Sequence, residues 1–308
     1  MAAALLAAGI VPGAADAATT QAGAVTAACR LTVGSVTPGG DHRFRTVDAT
    51  SPITVQNQAL YSGIYPDGQV RLSGSVAVNP DLVPAFNASV SGWVVMGATM
   101  HTSDYLVELS GEVKPENNHS TRVGAGWGDI TAFETTRYYP PNPNNVNGVT
   151  SQYALRADGV LSRWVMKSAT GGPTWSNKQS APGFSAVKTM ALISQTASYD
   201  TFLATTKGGA LYTIRIPRTS PMKPVVKIVR GSSWQGFESL VIEKCGVNGT
   251  MLLGIDKDSK SGYLYAIGHA NGTATVIKSL GKVPTTFEDP VYFRRAIRPG
   301  DAPMLFGE

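Results

Sequence analysis

The segments TFLATTKGGALYTIRI (201–216) and MLLGIDKDSKSGYLYAI (251–267) decide the fold. Each reads as an apolar run, a polar turn with glycine, and a second run of alternating apolar residues, which is the pattern of a β-hairpin. Three more stretches stack on them: LYSGIYPDGQVRLSG (60–74), VVMGATMHTSDYLVELSG (94–111) and SQYALRADGVLSRWVM (151–166). Gly68, Gly159, Gly209 and Gly262 read as the turn residues, because glycine accepts a positive φ; Asp104 takes that place in the second stretch. Two positions on comes an apolar residue, Val70, Leu106, Leu161, Leu211 or Leu264, at intervals of 36, 55, 50 and 53 residues.

Working outward, a strand precedes most hairpins: DITAFETT (129–136), SAVKTMALIS (185–194), ESLVIEKC (238–245) and EDPVYFRRAI (288–297). Phe184, Phe237 and Phe287 stand before the last three. Another strand follows, as in KPVVKIVRG (223–231) and TATVIKSLG (273–281). Four antiparallel strands in about 50 residues, repeated along a chain, mark the blade of a β-propeller. A pair of β-sandwiches or a β-helix is the competing all-β reading. VKPENNHSTRVG (113–124) reads as a long connection, and the Pro/Asn stretch from Tyr138 to Asn145 as a loop inserted into the third unit.

The two ends suggest closure. After Phe287 the pattern restarts, reaches MLFGE (304–308) in register with MLLGI, and stops after two strands. CRLTVGSV (29–36) and HRFRTVDA (42–49) open with no partner before them. The expectation is an all-β, six-bladed propeller with four-stranded antiparallel blades, spanning 29–308 as a single domain. Its last blade takes two strands from each terminus, which removes exposed sheet edges. That arrangement brings Cys29 towards Cys245, and a disulfide there would stabilise by up to about 4–5 kcal/mol.

Composition narrows the function. Only 15% of the 308 residues are charged, and the net charge of +5 is spread without a basic stripe, so nucleic acid is not the expected partner. Beyond the N-terminus no apolar run reaches the ~18 residues of a membrane span. Residues 1–17 read as a signal peptide ending at Ala15-Asp16-Ala17, although no basic residue precedes Arg30; residues 18–28 read as a flexible segment. A disordered Ala-rich tail is the alternative. A secreted, extracellular protein is the expectation, and it makes a disulfide the ordinary state of two cysteines. Thr26-Ala27-Ala28-Cys29 is a poor lipobox.

Signatures of zinc proteases, α/β-hydrolases, NTPases and dinucleotide enzymes are absent, and His42, His101, His119 and His269 lack metal-ligand spacing. Asn87, Asn118, Asn248 and Asn271 begin N-x-S/T sequons, read as turn markers. Two loops stand out: GAGWGDITAF (124–133) and GSSWQGFESL (231–240), with Trp127 and Trp234 in matching places. Each indole reads either as a plug in the wedge between blades or as a platform for the C–H face of a pyranose. In the second reading Asp129, Ser233, Gln235 and Glu238 would bind the hydroxyls.

The Gly-Ser-Ser-Trp-Gln-Gly-Phe loop, followed by a hairpin ending Gly-Tyr-Leu-Tyr-Ala, resembles tachylectin-2-type β-propeller lectins over roughly 121–281. The resemblance implies pockets between neighbouring blades that bind N-acetylated amino sugars, and it implicates Trp127 and Trp234. At 181–184 this chain has Ala-Pro-Gly-Phe and at 284–287 Pro-Thr-Thr-Phe, without the tryptophan. The stretch Ser168 to Trp175 is similar to a sialidase Asp box, with Thr170 in the acidic position, and Arg215-Ile216-Pro217 imitates the arginine motif in the wrong unit.

The expected function is lectin-like binding of cell-surface or cell-wall glycans or glycoproteins, favoured over catalysis, which the sequence leaves open. The alternatives are a propeller hydrolase or lactonase using Asp129, Glu238, Glu288 and Asp289 at the channel, and a scaffold for an extracellular protein partner. No cofactor is expected, Ca²⁺ being the one ion those acids would suit.

Overall fold

The computed structural model describes residues 29–80, 86–140, 148–167, 173–297 and 304–308. The leader and its flexible continuation, and most of the Asp-box-like stretch, lie outside the described residues. The first strands are β1 (Arg30–Val36), β2 (His42–Asp48) and β3 (Thr54–Tyr61). They are followed by β4 (Val70–Ser73), β5 (Val76–Pro80), β6 (Phe86–Met96), β7 (Thr99–Glu108) and β8 (Asn118–Ala125). Next come β9 (Ile130–Tyr138), β10 (Val149–Arg156), β11 (Leu161–Lys167) and β12 (Thr174–Ala181). The fourth group is β13 (Val187–Gln195), β14 (Tyr199–Thr206), β15 (Leu211–Pro217) and β16 (Val225–Arg230). The last is β17 (Ser239–Cys245), β18 (Gly249–Asp256), β19 (Ser261–Ile267), β20 (Ile277–Lys282) and then β21 (Val291–Ile297). One 3₁₀ turn, Pro115–Asn117, is the helical element among the described residues.

Strands β9–β12, β13–β16 and β17–β20 each form a four-stranded antiparallel sheet. β4 and β5 both pair with β6, as two halves of one interrupted strand, and β6, β7 and β8 complete a fourth sheet. The remaining sheet runs β21-β1-β2-β3 and touches the previous one only through a short parallel pairing of β21 with β5. This is an all-β architecture of the propeller type.

Burial explains why the central strands read as unbroken apolar runs. β14 and β18 are buried at every position but one or two, whereas the outer β16 is mostly exposed. A strand covered on both faces by neighbouring sheets needs no polar alternation. Each fully buried Leu, Phe or Met of such a strand contributes roughly 1.5–3 kcal/mol. The first strands of successive sheets pack on one another, β21 on β4, β4 on β9, β9 on β13, β13 on β17, and β17 on β21.

The structure corrects several expectations. The described strands form three four-stranded sheets and one nine-stranded sheet that divides at the β21–β5 pairing, and no sixth array is found among them. The stretch 60–74 is not a hairpin: it contains the end of β3, a connection, and β4, which belongs to a different sheet. That misreading also produced the anomalous 36-residue interval. The terminal sheet takes one strand from the C-terminal side and three from the N-terminal side, not two and two. MLFGE adds no second strand: Phe306 makes a single bridge to Ser194 on β13. The stretch 113–124 is largely β8, a fourth strand and not a connection.

Turn assignments shift as well. The second hairpin turns at Gly97 (φ 54°), with Asp104 inside β7, and the last turns at Lys260 (φ 51°). Gly262 sits in β19 because a Cβ there would overlap the Phe287 ring. Cys29 and Cys245 form a disulfide with Cα atoms 5.4 Å apart, joining the lead into β1 to the end of β17.

Candidate functional site

Each sheet is joined to the next by the same hydrogen bond. An aromatic residue at the start of the loop donates its N–H to the turn of the preceding hairpin: Tyr65 to Gly40 O, Trp127 to Ala98 O, Phe184 to Gly159 O, Trp234 to Gly209 O and Phe287 to Lys260 O, all at 3.0–3.1 Å. The aromatic ring then enters the wedge between two sheets. Trp127 and Trp234 are therefore equivalent, and Phe184 and Phe287 share their position; Phe237, three residues beyond Trp234, does not.

The Trp127 wedge is open. A cavity of about 510 Å³ lies there, lined by Trp127, Trp164 of β11, Trp175 of β12, Asp129, Arg156 and Lys178. The Trp127 and Trp164 ring centroids are 6.1 Å apart at a 34° tilt, and Phe133 meets Trp127 edge-on at 5.6 Å. Lys178 Nζ stands 5.4 Å from the Trp164 centroid. Trp175 donates Nε1–H to Gln152 Oε1 at 2.5 Å, which fixes the indole. All three indoles are half-buried, and the side chains of Asp129, Arg156 and Lys178 are exposed. The loop is braced from the neighbouring sheet, since Arg71 donates to Gly97 O and Trp127 O, each at 2.7 Å.

The Trp234 wedge is filled. Trp234 is 7% exposed, with Tyr265 at 5.0 Å and Phe237 at 5.6 Å between centroids. Ser233 (φ 78°) and Gln235 are exposed, and Gln235 O accepts a hydrogen bond from Lys188. Glu238 is engaged by Lys188 Nζ through one oxygen and by the Lys257 N–H at 2.8 Å through the other. Thus Trp127 and Asp129 line this cavity, whereas Trp234, Ser233 and Gln235 lie at a different, filled wedge, and Glu238 borders a narrower cavity.

A narrower cavity of about 150 Å³ is lined by residues of β4, β9, β13, β17 and β21 together. Glu134 on β9 belongs to it, and Oε1 accepts the N–H groups of Ser75 and Thr135 at 2.8 Å. Burial raises the Glu134 carboxyl above the usual carboxylate range, and those two hydrogen bonds oppose the rise. Of the four acids expected at the channel, only Glu238 lines this space. Asp129 is in the tryptophan cavity, Glu288 pairs with Lys260 at 3.2 Å, and buried Asp289 pairs with Arg43 at 2.8 Å and accepts from Ser35 at 2.6 Å. Among the described residues no three His, Cys, Asp or Glu side chains gather as a metal site, and no helix is long and apolar enough to cross a membrane.

Trp164 and Trp175 were not singled out from the sequence as site residues. The available signal was alternation: Ser162 and Trp164 share one face of β11, and both line the cavity.

No protein-family model matches this chain, and no curated protein matches it. Solved structures similar to it include the periplasmic gluconolactonase PpgL of Pseudomonas aeruginosa (10% identity, TM-score 0.38, covering 83% of each chain). Another is a mutant of ACO from Synechocystis, at 9% identity and TM-score 0.37, over 81% of this chain and 66% of that one.

Proposed function

We propose that residues 29–308 form one exported, five-bladed propeller, closed where β21 joins β1, that binds a glycan in the Trp127 cavity. The narrow cavity shared by β4, β9, β13, β17 and β21 supports the closed wheel, since five first strands around one axis would line such a channel. The disulfide between the head of the chain and β17 supports export.

One observation carries the binding reading: three half-buried indoles converge on an open cavity of about 510 Å³ rimmed by Asp129, Arg156 and Lys178. Exposed indole faces are costly in water and complement the C–H face of a pyranose, while the rim supplies donors and an acceptor for hydroxyl or acylamino groups. One such cavity gives a modest site, so strength would come from multivalent presentation. The acids needed for a hydrolase or lactonase are instead dispersed or engaged in ion pairs.

A glycan array with the intact chain, followed by titration of the best hits, tests this reading. Trp164→Ala is expected to weaken binding at least tenfold and Lys178→Met about threefold, with Trp234→Ser affecting only stability. An array blank, or hits indifferent to Trp164→Ala, would remove the reading.

A further inference from the structure

A separate cavity of about 440 Å³ lies between the terminal sheet and β5. Phe44 and Tyr61 form its apolar side, Gln56, Asn57 and Gln58 of β3 line its open side, and Arg295 of β21 reaches into it. The guanidinium lies 5.8 Å from the Phe44 centroid and donates Nη1–H to Gln58 Oε1 at 2.9 Å. Its Nε is buried and meets no acceptor.

No acidic side chain lines the cavity, and among the described residues no carboxylate pairs with Arg295. Arg30, Arg43, Arg156, Arg215, Arg218 and Arg294 each hold an acid within 3.2 Å, and Arg45, Arg71, Arg163 and Arg230 donate to backbone carbonyls, whereas Arg295 has only the neutral Gln58 amide. A guanidinium cannot shed its charge at ordinary pH, and a half-buried cation with an idle N–H is costly until an anion meets it. Burial draws the Arg295 guanidinium below its ordinary range, with Tyr61 and Tyr105 acting in the opposite sense.

We propose that this cavity is an anion site in which Arg295 receives the carboxylate of a small organic acid. Nη1 is committed to Gln58 and Nε is shielded from solvent, which leaves Nη2 as the donor for a carboxylate oxygen. One uncompensated positive charge matches a monovalent carboxylate better than a phosphate dianion. Phe44 and Tyr61 contact the body of the acid, and the amides of Asn57 and Gln58 take its polar groups. The site is independent of the tryptophan cavity, which lies at another wedge.

Calorimetry and thermal shift at fixed ionic strength test this with glucuronate, glucose and inorganic phosphate. Glucuronate is expected to bind saturably, at least tenfold more weakly to Arg295→Met, and within twofold of wild type to Trp164→Ala. Glucose is expected to show no Arg295-dependent binding, and phosphate to bind at least fivefold more weakly than glucuronate. No glucuronate binding, an equal response in Arg295→Met, a loss in Trp164→Ala, or phosphate as good as glucuronate would each overturn the proposal. Should Arg295→Met fail to fold, Arg295→Lys keeps the charge without the planar guanidinium, and Gln58→Leu removes the acceptor that holds Nη1. Each is expected to weaken glucuronate at least threefold, and unchanged affinity in both would overturn the proposal.

Discussion

Trp127 and Trp234 occupy the same place in two successions of sheets, yet one borders open space and the other is sealed. The turn hydrogen bonds supply the alignment, since Gly159 O and Lys260 O are equivalent acceptors. Counting from them, Trp164 corresponds to Tyr265 and Ser162 to Tyr263. Counting three on from each tryptophan, Ile130 corresponds to Phe237. The sealed wedge thus has Phe237 and Tyr263, 6.1 Å apart, where the open wedge has Ile130 and Ser162, both lining the cavity. Two side-chain volumes separate a packed joint from an open cavity.

The largest effect should come from emptying the sealed wedge. Trp234→Ala removes a buried indole held by two aromatic neighbours and is expected to cost about 3–5 kcal/mol in urea unfolding. Glycan affinity at the Trp127 cavity should stay within twofold. A loss below 1 kcal/mol would mean that the two wedges are not packed differently.

The Tyr65 joint extends the comparison to a packed ring cluster that carries a titratable group. His42 is buried there, its ring 5.0 Å from Tyr65 and 5.1 Å from Phe293, with Nδ1 2.9 Å from the Tyr105 hydroxyl. Burial lowers its pKa from 6.5 to about 3. Above pH 6.5 both folded and unfolded chains hold a neutral imidazole; below it only the unfolded chain readily takes the proton. Stability is therefore lost as pH falls from 6.5 towards 3, by about 1.4 kcal/mol per pH unit from this group. Unfolding at pH 6.5 and 4.5 should differ by about 2 kcal/mol more in the wild type than in His42→Gln. Equal slopes would show that the imidazole is reached by water.

Exchanging the fillers tests the comparison directly. Ile130→Phe with Ser162→Tyr should close the open wedge and weaken glycan binding at least tenfold. The expected stability change is within about 1.5 kcal/mol, because added apolar contact offsets the lost Ser162–Ser180 hydrogen bond at 2.9 Å. Retained binding would place the ligand elsewhere.

The sequence made the strands legible wherever both faces of a strand are covered, as in MALIS, TFLAT and MLLGI, since continuous apolar runs between turns have few other uses. The disulfide partners were legible because the topology and the redox compartment pointed the same way. The number of sheets was not, since β3 and β4 with the connection between them imitate a hairpin in composition while pairing with different strands. Gly262 misled for a related reason: a glycine needed for close approach to Phe287 looks like a glycine needed for a turn. Trp127 announced itself by its glycine-flanked loop. Trp164 and Trp175 lie on strands, where an indole reads as core, and their half-exposure depends on Ile130 and Ser162 being small.

The smallest expected effect concerns the turns that the two tryptophans cap. Gly97 has φ 54°, and a Cβ there meets nothing within 4 Å, so Gly97→Ala carries only the left-handed backbone cost of about 1 kcal/mol. Gly209 has φ 90°, further from the region that other residues tolerate, and a Cβ there would overlap Gln235 Oε1 and approach Ser233 N to 3.2 Å. Gln235 can rotate outward because it is exposed, but the backbone N–H of Ser233 cannot move without disturbing the Trp234-to-Gly209 hydrogen bond. Gly209→Ala should therefore cost about 1 kcal/mol more than Gly97→Ala, read as a difference between two urea midpoints at constant slope. Equal costs would mean that the sealed wedge yields as easily at its turn as the open one, and that its tightness resides in the rings of Phe237 and Tyr263 alone.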